Sequence, residues 1–315
     1  MPTLSLITSF RDRDTQRVER FLASLASQTD PDFELIFLDY GSQQDTATAI
    51  RELCERYPFC KYVYNHTRGM VWNRAHAMNS AVRFAGGEFV LFTDIDLIFS
   101  AQCVARLKRA ITPGNQYFCR AYFLPREFKA YDTLASCPTN FRLTRLKTRG
   151  LFHCVARAAF EEGGGFDEYF CIWGLEDTQL AMHLRNAGLR SVWLDSAEAP
   201  IYHQWHPSSA LLSDSFPPKW WETMTIHAAL SSATPGNFAN RGQLLTASDR
   251  PCLREPVTTE IRIPSELEPP GRGRAIQDII FFLQNYPGKV LKVRIKASAR
   301  HEIDLRKQSR NRTLS

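Results

Sequence analysis

Short, fully apolar runs alternate with helix-period segments from the start of this chain. That alternation restricts its fold more than any other feature. "TLSLIT" (3–8) is rich in β-formers; Val18, Phe21, Leu22 and Leu25 then recur at i, i+3, i+4 and i+7, one face of a helix. "FELIFLDYGS" (33–42) reads as a second buried strand ending in turn residues, and Ile50, Leu53, Cys54 and Tyr57 mark a second helix face. "KYVYN" (61–65) reads as a third strand, and "WNRAHAMNSAVRFAGG" (72–87) as a helix stopped by Gly86-Gly87. The continuous run "EFVLFT" (88–93) suits a central strand covered on both faces. The pattern predicts an α/β chain: βαβ units with right-handed crossovers around a mixed, mainly parallel sheet. Ligands of such sheets bind at the carboxyl ends of the strands. Asp39, Asp94 and the turn "TSFRDRD" (8–14) all lie at such ends.

Carboxylates at a strand exit are poorly placed for packing and well placed for a hard cation. Mg²⁺ and Mn²⁺ prefer oxygen ligands and bridge protein carboxylates to phosphates. In "TDID" both Asp94 and Asp96 would point to one side of an extended segment. One would take the metal, the other metal, water or ribose; the alternative is two solvated acids in a turn.

A second constellation is "GGGFDEYFCIWGLEDTQLAMHLRNAGLRSVWL" (163–194). Gly163–Gly165 make a turn, and Leu180, His183, Leu184 and Ala187 mark a helix whose N-terminus carries Glu176 and Asp177. Asp177 there is either a capping acid or a functional one. Trp173 beside paired acids suits a sugar, its ring covering an apolar face while the acids accept hydroxyl protons. A third constellation, "APIYHQWHP" (199–207), holds His203 and His206 after the strand "RSVWL" (190–194); either is a suitable third ligand for Mn²⁺ or structural.

Composition sets bounds. With 315 residues the chain has room for one large domain, or one plus a small one. No apolar stretch approaches the roughly 20 residues that span a bilayer, and "MPTLSLITSF" lacks a basic leader; the expectation is cytoplasmic. The eight cysteines show no C-x-x-C pattern and are expected as reduced, mostly buried thiols. Of the net charge of +6, residues 289–315 contribute nine Lys/Arg against Glu302 and Asp304, so the body is close to neutral. That argues against nucleic-acid binding. The tail is either a solvated charge run or a peripheral contact with anionic lipid on the inner membrane face.

Taken in order, these motifs resemble the inverting, GT-A-fold glycosyltransferases of family 2. They are most similar to bacterial chondroitin and polysaccharide synthases, with a second half like the β-1,4-galactosyltransferase type. The matching stretches are the opening strand with Thr8, Phe10 and Arg11, "DYGSQQD", "NRAHAMNSA", "TDID", "GGFDEYF", "WGLED" and "YHQ", over roughly residues 3–230. Tyr40, where relatives carry a second Asp, and Ala81, where they often carry Gly, depart from the pattern. The resemblance implies a Rossmann-like nucleotide-sugar half (1–100), an acceptor half (101–232) and a C-terminal extension (233–315), small α+β or partly disordered.

It also implies roles. Thr8, Phe10, Arg11, Asp39, Asn73, Arg74 and Asp94 would contact the nucleotide, with Asp39 favouring uracil and Asn73 and Arg74 at phosphate or ribose. Asp96, Asp94 and His203 (in preference to His206) would hold Mn²⁺ or Mg²⁺. Asp177 would be the general base; Glu176, Trp173, Gly174 and Asp167 would serve the acceptor. The partners would be a nucleotide sugar, of UDP type, and a glycan or glycolipid hydroxyl in surface polysaccharide synthesis. Paired-carboxylate hydrolysis fits poorly, because one acid pair is given to metal. An inactive sugar-binding module and a nucleotidyltransferase are the other readings. The latter lacks a glycine-rich phosphate loop in "TSFRDRD".

Overall fold

The computed structural model describes residues 3–68, 72–131, 134, 141–144, 149–170, 174–206, 237–248, 258–261 and 292–295. The first half runs β1 (Leu4–Phe10), α1 (Thr15–Ala26), β2 (Glu34–Asp39), α2 (Gln44–Glu55), β3 (Cys60–Tyr64), α3 (Arg74–Val82) and β4 (Phe89–Thr93). It continues through β5 (Leu97–Phe99), α4 (Cys103–Ala110), β6 (Asn115–Phe118), β7 (Ala121–Phe123), β8 (Phe152–Ala156) and α5 (Arg157–Glu162). The last elements are α6 (Glu176–Asn186), β9 (Arg190–Trp193), β10 (Ile201–His203), β11 (Thr258–Ile261) and β12 (Lys292–Ile295).

The main sheet has seven strands in the order β3-β2-β1-β4-β8-β6-β9. β3, β2, β1 and β4 pair in parallel, β8 is antiparallel to both neighbours, and β9 is parallel to β6. Strand residues alternate between two cores, as a pleat with both faces covered requires. Leu4, Leu6, Leu35, Phe37 and Leu91 pack with Val18, Phe21, Leu22 and Leu25 of α1 and Ile50 of α2. Ile7, Ile36, Leu38, Val90 and Phe92 face Ala77, Met78 and Ala81 of α3, Phe160 of α5, and Leu180 and Leu184 of α6. A second sheet, β5-β10-β7, extends this frame.

Three expectations change. The acids of "TDID" do not leave an extended segment: β4 stops at Thr93, the chain turns through 94–96, and β5 joins the other sheet, where Leu97 faces His203. A turn removes the alternation that would have put both side chains on one side. Helix α3 ends at Val82, before Gly86-Gly87: the chain closes with turns from Phe84 N–H to Ala81 O and Ala85 N–H to Val82 O. The glycine is needed elsewhere, because a Cβ at Gly87 would lie 2.7 Å from Ser5 N on β1.

Third, "SSATPGNFANRGQLL" (231–245), which its Pro, Gly and Ser content marks as linker-like, is packed in part. Phe238 and Leu244 join the α3 side of the core, and Leu245 is buried. Arg83 donates to the carbonyls of Phe238, Ala239 and Arg241, and Leu245 N–H donates to Asn65 Oδ1 at 2.9 Å. In the C-terminal extension, Glu260–Ile263 and the alternating stretch 291–296 read from the sequence as short strands, and Ile276, Ile279, Ile280 and Leu283 as a short helix. The strands correspond to β11 and β12, which pair in parallel, while the helix and most of the basic tail lie outside the described residues.

One buried amide ties these parts together. Asn79 Oδ1 accepts from Phe166 N at 2.9 Å, and its Nδ2 donates to Phe166 O at 2.8 Å and Glu168 Oε1 at 3.0 Å. Glu168 Oε1 in turn accepts from Gly242 N. Asn79→Ala would strand the Phe166 peptide and is expected to cost about 2–3 kcal/mol in chemical denaturation. A change within about 0.5 kcal/mol would show that this clamp contributes nothing.

Candidate active site

The turn after β4 sends its two acids to different partners. Asp96 Oδ2 lies 2.9 Å from His206 Nε2 and 3.6 Å from His203 Nε2. One ligand atom from each of the three falls within 4.8 Å of the others. Gln204 fixes this loop: its N–H donates to Asp96 O at 2.8 Å, its Nε2 donates to Arg17 O, and its Oε1 accepts from Arg20. Burial works against the Asp96 charge, but the hydrogen bond from His206 and the nearby positive charges outweigh it, holding the carboxyl below its ordinary value. Burial lowers His203, against the pull of Asp96, which keeps the imidazole neutral. Asp96 Oδ1 and His203 Nδ1 are buried with no hydrogen-bond partner. A carboxylate with an oxygen left unpartnered, set against the imidazoles of His203 and His206, suits a first-row divalent cation.

Asp94 belongs to a second cluster, built around Arg74. Arg74 is the first residue of α3, behind the Asn73 cap. Its Nε and Nη2 donate to Asp94 Oδ1 at 3.1 and 2.9 Å, and Nη1 donates to Asp177 Oδ1 at 2.7 Å. Nη2 also reaches Gly150 O at 3.0 Å, and Glu176 Oε1 is 3.7 Å from Nη1. A cation at a helix N-terminus opposes the macrodipole; three acids offset it. Conversely, one guanidinium cannot neutralise three carboxylates that are buried or half-buried. Burial, with the charges of Asp96 and Asp177, pushes Asp94 up to about 6 against Arg74. Burial and Asp177 push Glu176 up to about 7. Asp177 does not cap its helix: the cap position is Leu175, at φ 74°, with no side-chain cap bond. Its carboxylate turns to Arg74 instead.

The remaining predicted residues occupy varied surroundings. Thr8 and Phe10 are buried within β1, Phe10 against Phe37. Arg11 donates to Tyr40 O at 2.6 Å and Thr67 O at 2.7 Å and sits over the Tyr40 ring. Asp39 is fully buried: Oδ1 accepts from Ser42 N and Oδ2 from the Tyr62 hydroxyl. Burial raises its pKa above the ordinary value. Tyr40 fills space, its hydroxyl 2.8 Å from His76 Nδ1. Asn73 Oδ1 caps α3 through His76 N–H, and its Nδ2 donates to Glu168 O. Asp167 Oδ1 accepts from Tyr169 N. Gly174, at φ 99°, shapes the approach to α6. Trp173 lies outside the described residues.

The geometry thus joins Asp94, Asp177, Glu176 and Arg74, and separately Asp96, His203 and His206. Sequence reasoning preferred His203, whereas His206 makes the shorter contact with Asp96. It missed Gly150, which has no motif around it. It also missed Trp205, exposed to 42% beside His206 with the Arg126 guanidinium over its ring; the aromatic in "YHQWH" was the available signal.

Comparisons with known proteins bear on the family and the fold. Chondroitin sulfate synthase 3 of Mus musculus is 26% identical over 169 residues, covering 50% of this chain and 18% of its own length. Validoxylamine A glucosyltransferase of Streptomyces hygroscopicus subsp. limoneus is 26% identical over 256 residues, covering 68% of this chain and 55% of its own. The chain therefore spans about half of that glucosyltransferase and under a fifth of the synthase. Among solved structures, S. aureus TarS 1-349 in complex with UDP superposes with a TM-score of 0.53 at 17% identity, over 73% of this chain and 65% of that one. GalNAc-T7 with UDP, GalNAc and Mn²⁺ gives 0.51 at 13% identity, over 72% and 50%. These likenesses are in fold, and the fold is GT-A, as the motifs implied. The model of Glycosyl transferase family 2 matches residues 5–162, half of the chain, and to that family the chain belongs.

Proposed function

We propose that this chain is a metal-dependent, inverting glycosyltransferase that moves a sugar from a nucleotide donor to a hydroxyl of a glycan or glycolipid. The observation that carries the reading is the pair of adjoining clusters after β4: a cation-suited set on Asp96 and an arginine-bound acid set reaching Asp177. Asp96, His203 and His206 would hold Mn²⁺ or Mg²⁺. When bound, such a cation supplies charge neutralisation to a leaving diphosphate. Asp94, on the Arg74 side of the turn, is assigned to ribose or metal. Asp39 and Arg11 are assigned to the base side, with Thr8 and Phe10 shaping it from within, and Asn73 and Arg74 to the phosphate or ribose.

Asp177 takes the proton of the attacking hydroxyl. Its Oδ1 is tied to Arg74, so the proton goes to Oδ2. A single displacement inverts the anomeric carbon. Glu176, with its raised pKa, carries a proton for part of the time near neutrality and can donate to an acceptor hydroxyl, and Trp173, Gly174 and Asp167 are assigned to the acceptor. UDP is the first donor to test, since it is bound in the TarS and GalNAc-T7 structures. A role in polysaccharide synthesis, the galactosyltransferase-like second half and the boundary near 232 belong to this proposal. So does a cytoplasmic site with the tail on anionic lipid. No helix among the described residues is long and apolar enough to cross a membrane.

A screen of nucleotide sugars with Mn²⁺, reading released nucleoside diphosphate, tests the whole reading; no release with any donor favours the inactive binding module. Asp177→Asn is expected to lower turnover by about 10²-fold or more while UDP–Mn²⁺ binding stays near wild type. Transfer at the wild-type rate would remove Asp177 from the mechanism. Asp96→Ala should abolish the Mn²⁺-dependent part of UDP affinity in calorimetry, and an unchanged dependence rejects the cation assignment. For Glu176, the native state holds a proton between the ordinary 4.5 and about 7, where the unfolded chain has released it. Stability therefore falls as pH rises through that window and levels off above it. Relative to Glu176→Gln, the wild type should lose stability from pH 4.5 to 7. A difference independent of pH would overturn the assignment.

A further inference from the structure

We infer that Gly150 is a positioning residue: with Arg74 it forms a two-sided seat that holds the Asp177 carboxylate in the cleft. The inference takes Asp177 as the base assigned above. A Cβ built on Gly150 would lie 2.0 Å from Asp177 Oδ2, 2.7 Å from Cγ and 3.2 Å from Oδ1. The carboxylate therefore rests in the space that any other residue's side chain would fill. Gly150 does not sit in the left-handed region, unlike Gly41 at φ 78° or Gly242 at φ 63°. Alanine could adopt its backbone without strain, so the requirement is one of space alone.

The other side of the seat is the guanidinium. Gly150 O accepts from Arg74 Nη2 at 3.0 Å, while Nη1 holds Asp177 Oδ1 at 2.7 Å. Two more bonds run from Nε and Nη2 to Asp94. These four hydrogen bonds use four of the five N–H groups of the fork, and Glu176 Oε1 stands 3.7 Å from Nη1, an ion pair beyond hydrogen-bond distance. Arg74 cannot follow a displaced Asp177 without leaving Asp94. The Asp177 side chain is 23% exposed. In the base role, Arg74 and Gly150 act through Asp177.

The test is a double-mutant cycle on the full chain. Gly150→Ala should lower turnover by about 10- to 100-fold, the scale of a misplaced catalytic group. UDP–Mn²⁺ affinity should stay within about threefold, because the metal set is untouched. On an Asp177→Ala background there is no carboxylate to displace, and Gly150→Ala should cost under about twofold. Thermal unfolding gives a second arm that needs no turnover: Gly150→Ala should lower Tm, and adding Asp177→Ala should relieve that loss. Arg74→Lys, which keeps the charge and loses the fork, should likewise lose turnover only when Asp177 is present. Equal effects of Gly150→Ala on both backgrounds, in rate or in Tm, would overturn the seat. Wild-type turnover in Asp177→Ala would instead overturn the base assignment, and the melting arm would still decide the seat.

Discussion

A single buried guanidinium holds this cleft together. Arg74 stands at the positive end of α3, where local electrostatics disfavour it, and only the acids around it make the position tolerable. Those acids come from the end of β4 and the start of α6, two elements on opposite sides of the chain's midpoint. Removing the cation would leave like charges facing one another out of bulk water, a costly arrangement. Burial, with the charges of the neighbouring carboxylates, raises two carboxyls of the cluster to about 6 and about 7 against the pull of Arg74.

Beside that cluster lies a chemically different one. The turn at 94–96 separates an acid that answers to arginine from an acid that answers to two histidines. Two residues apart in sequence, Asp94 and Asp96 have pKa values moved in opposite directions. Desolvation without sufficient compensation raises the first, whereas imidazole contacts lower the second. The proposed chemistry, in which one part of the site neutralises a leaving anion and another accepts a proton, would use such divided environments. The second sheet supplies the division, because β5 leaves the main sheet directly after Asp96 and aligns with β10.

Support comes from residues that take no part in chemistry. Asn79 clasps the 166–168 loop, Glu168 passes that contact to Gly242, and the packed segment 237–245 covers α3 from outside. Tyr40 has the same character. Where relatives carry an acid, its hydroxyl donates to His76 Nδ1, leaving Nε2 as the donor to Gln243 O. A side chain read as a departure from a binding motif is, in the fold, part of the brace that orients α3.

The strand-helix order, the two-faced burial of β1, β2 and β4, and the identity of the acid and histidine motifs were all legible in the sequence. Periodicity and turn chemistry are properties of neighbouring residues. The stop of α3 was misread because glycines signal turns whether they end a helix or admit a neighbouring strand. The shared face of Asp94 and Asp96 was misread because a break between two sheets leaves no local mark. Partnership was decided by the tertiary structure alone. Arg74 meets Asp177 across 103 residues, and Asp96 meets His206 through the register of β5 on β10. Gly150 matters because of a carboxylate that arrives from another helix. Such contacts are set by sheet topology and close packing over long separations, which no local pattern encodes.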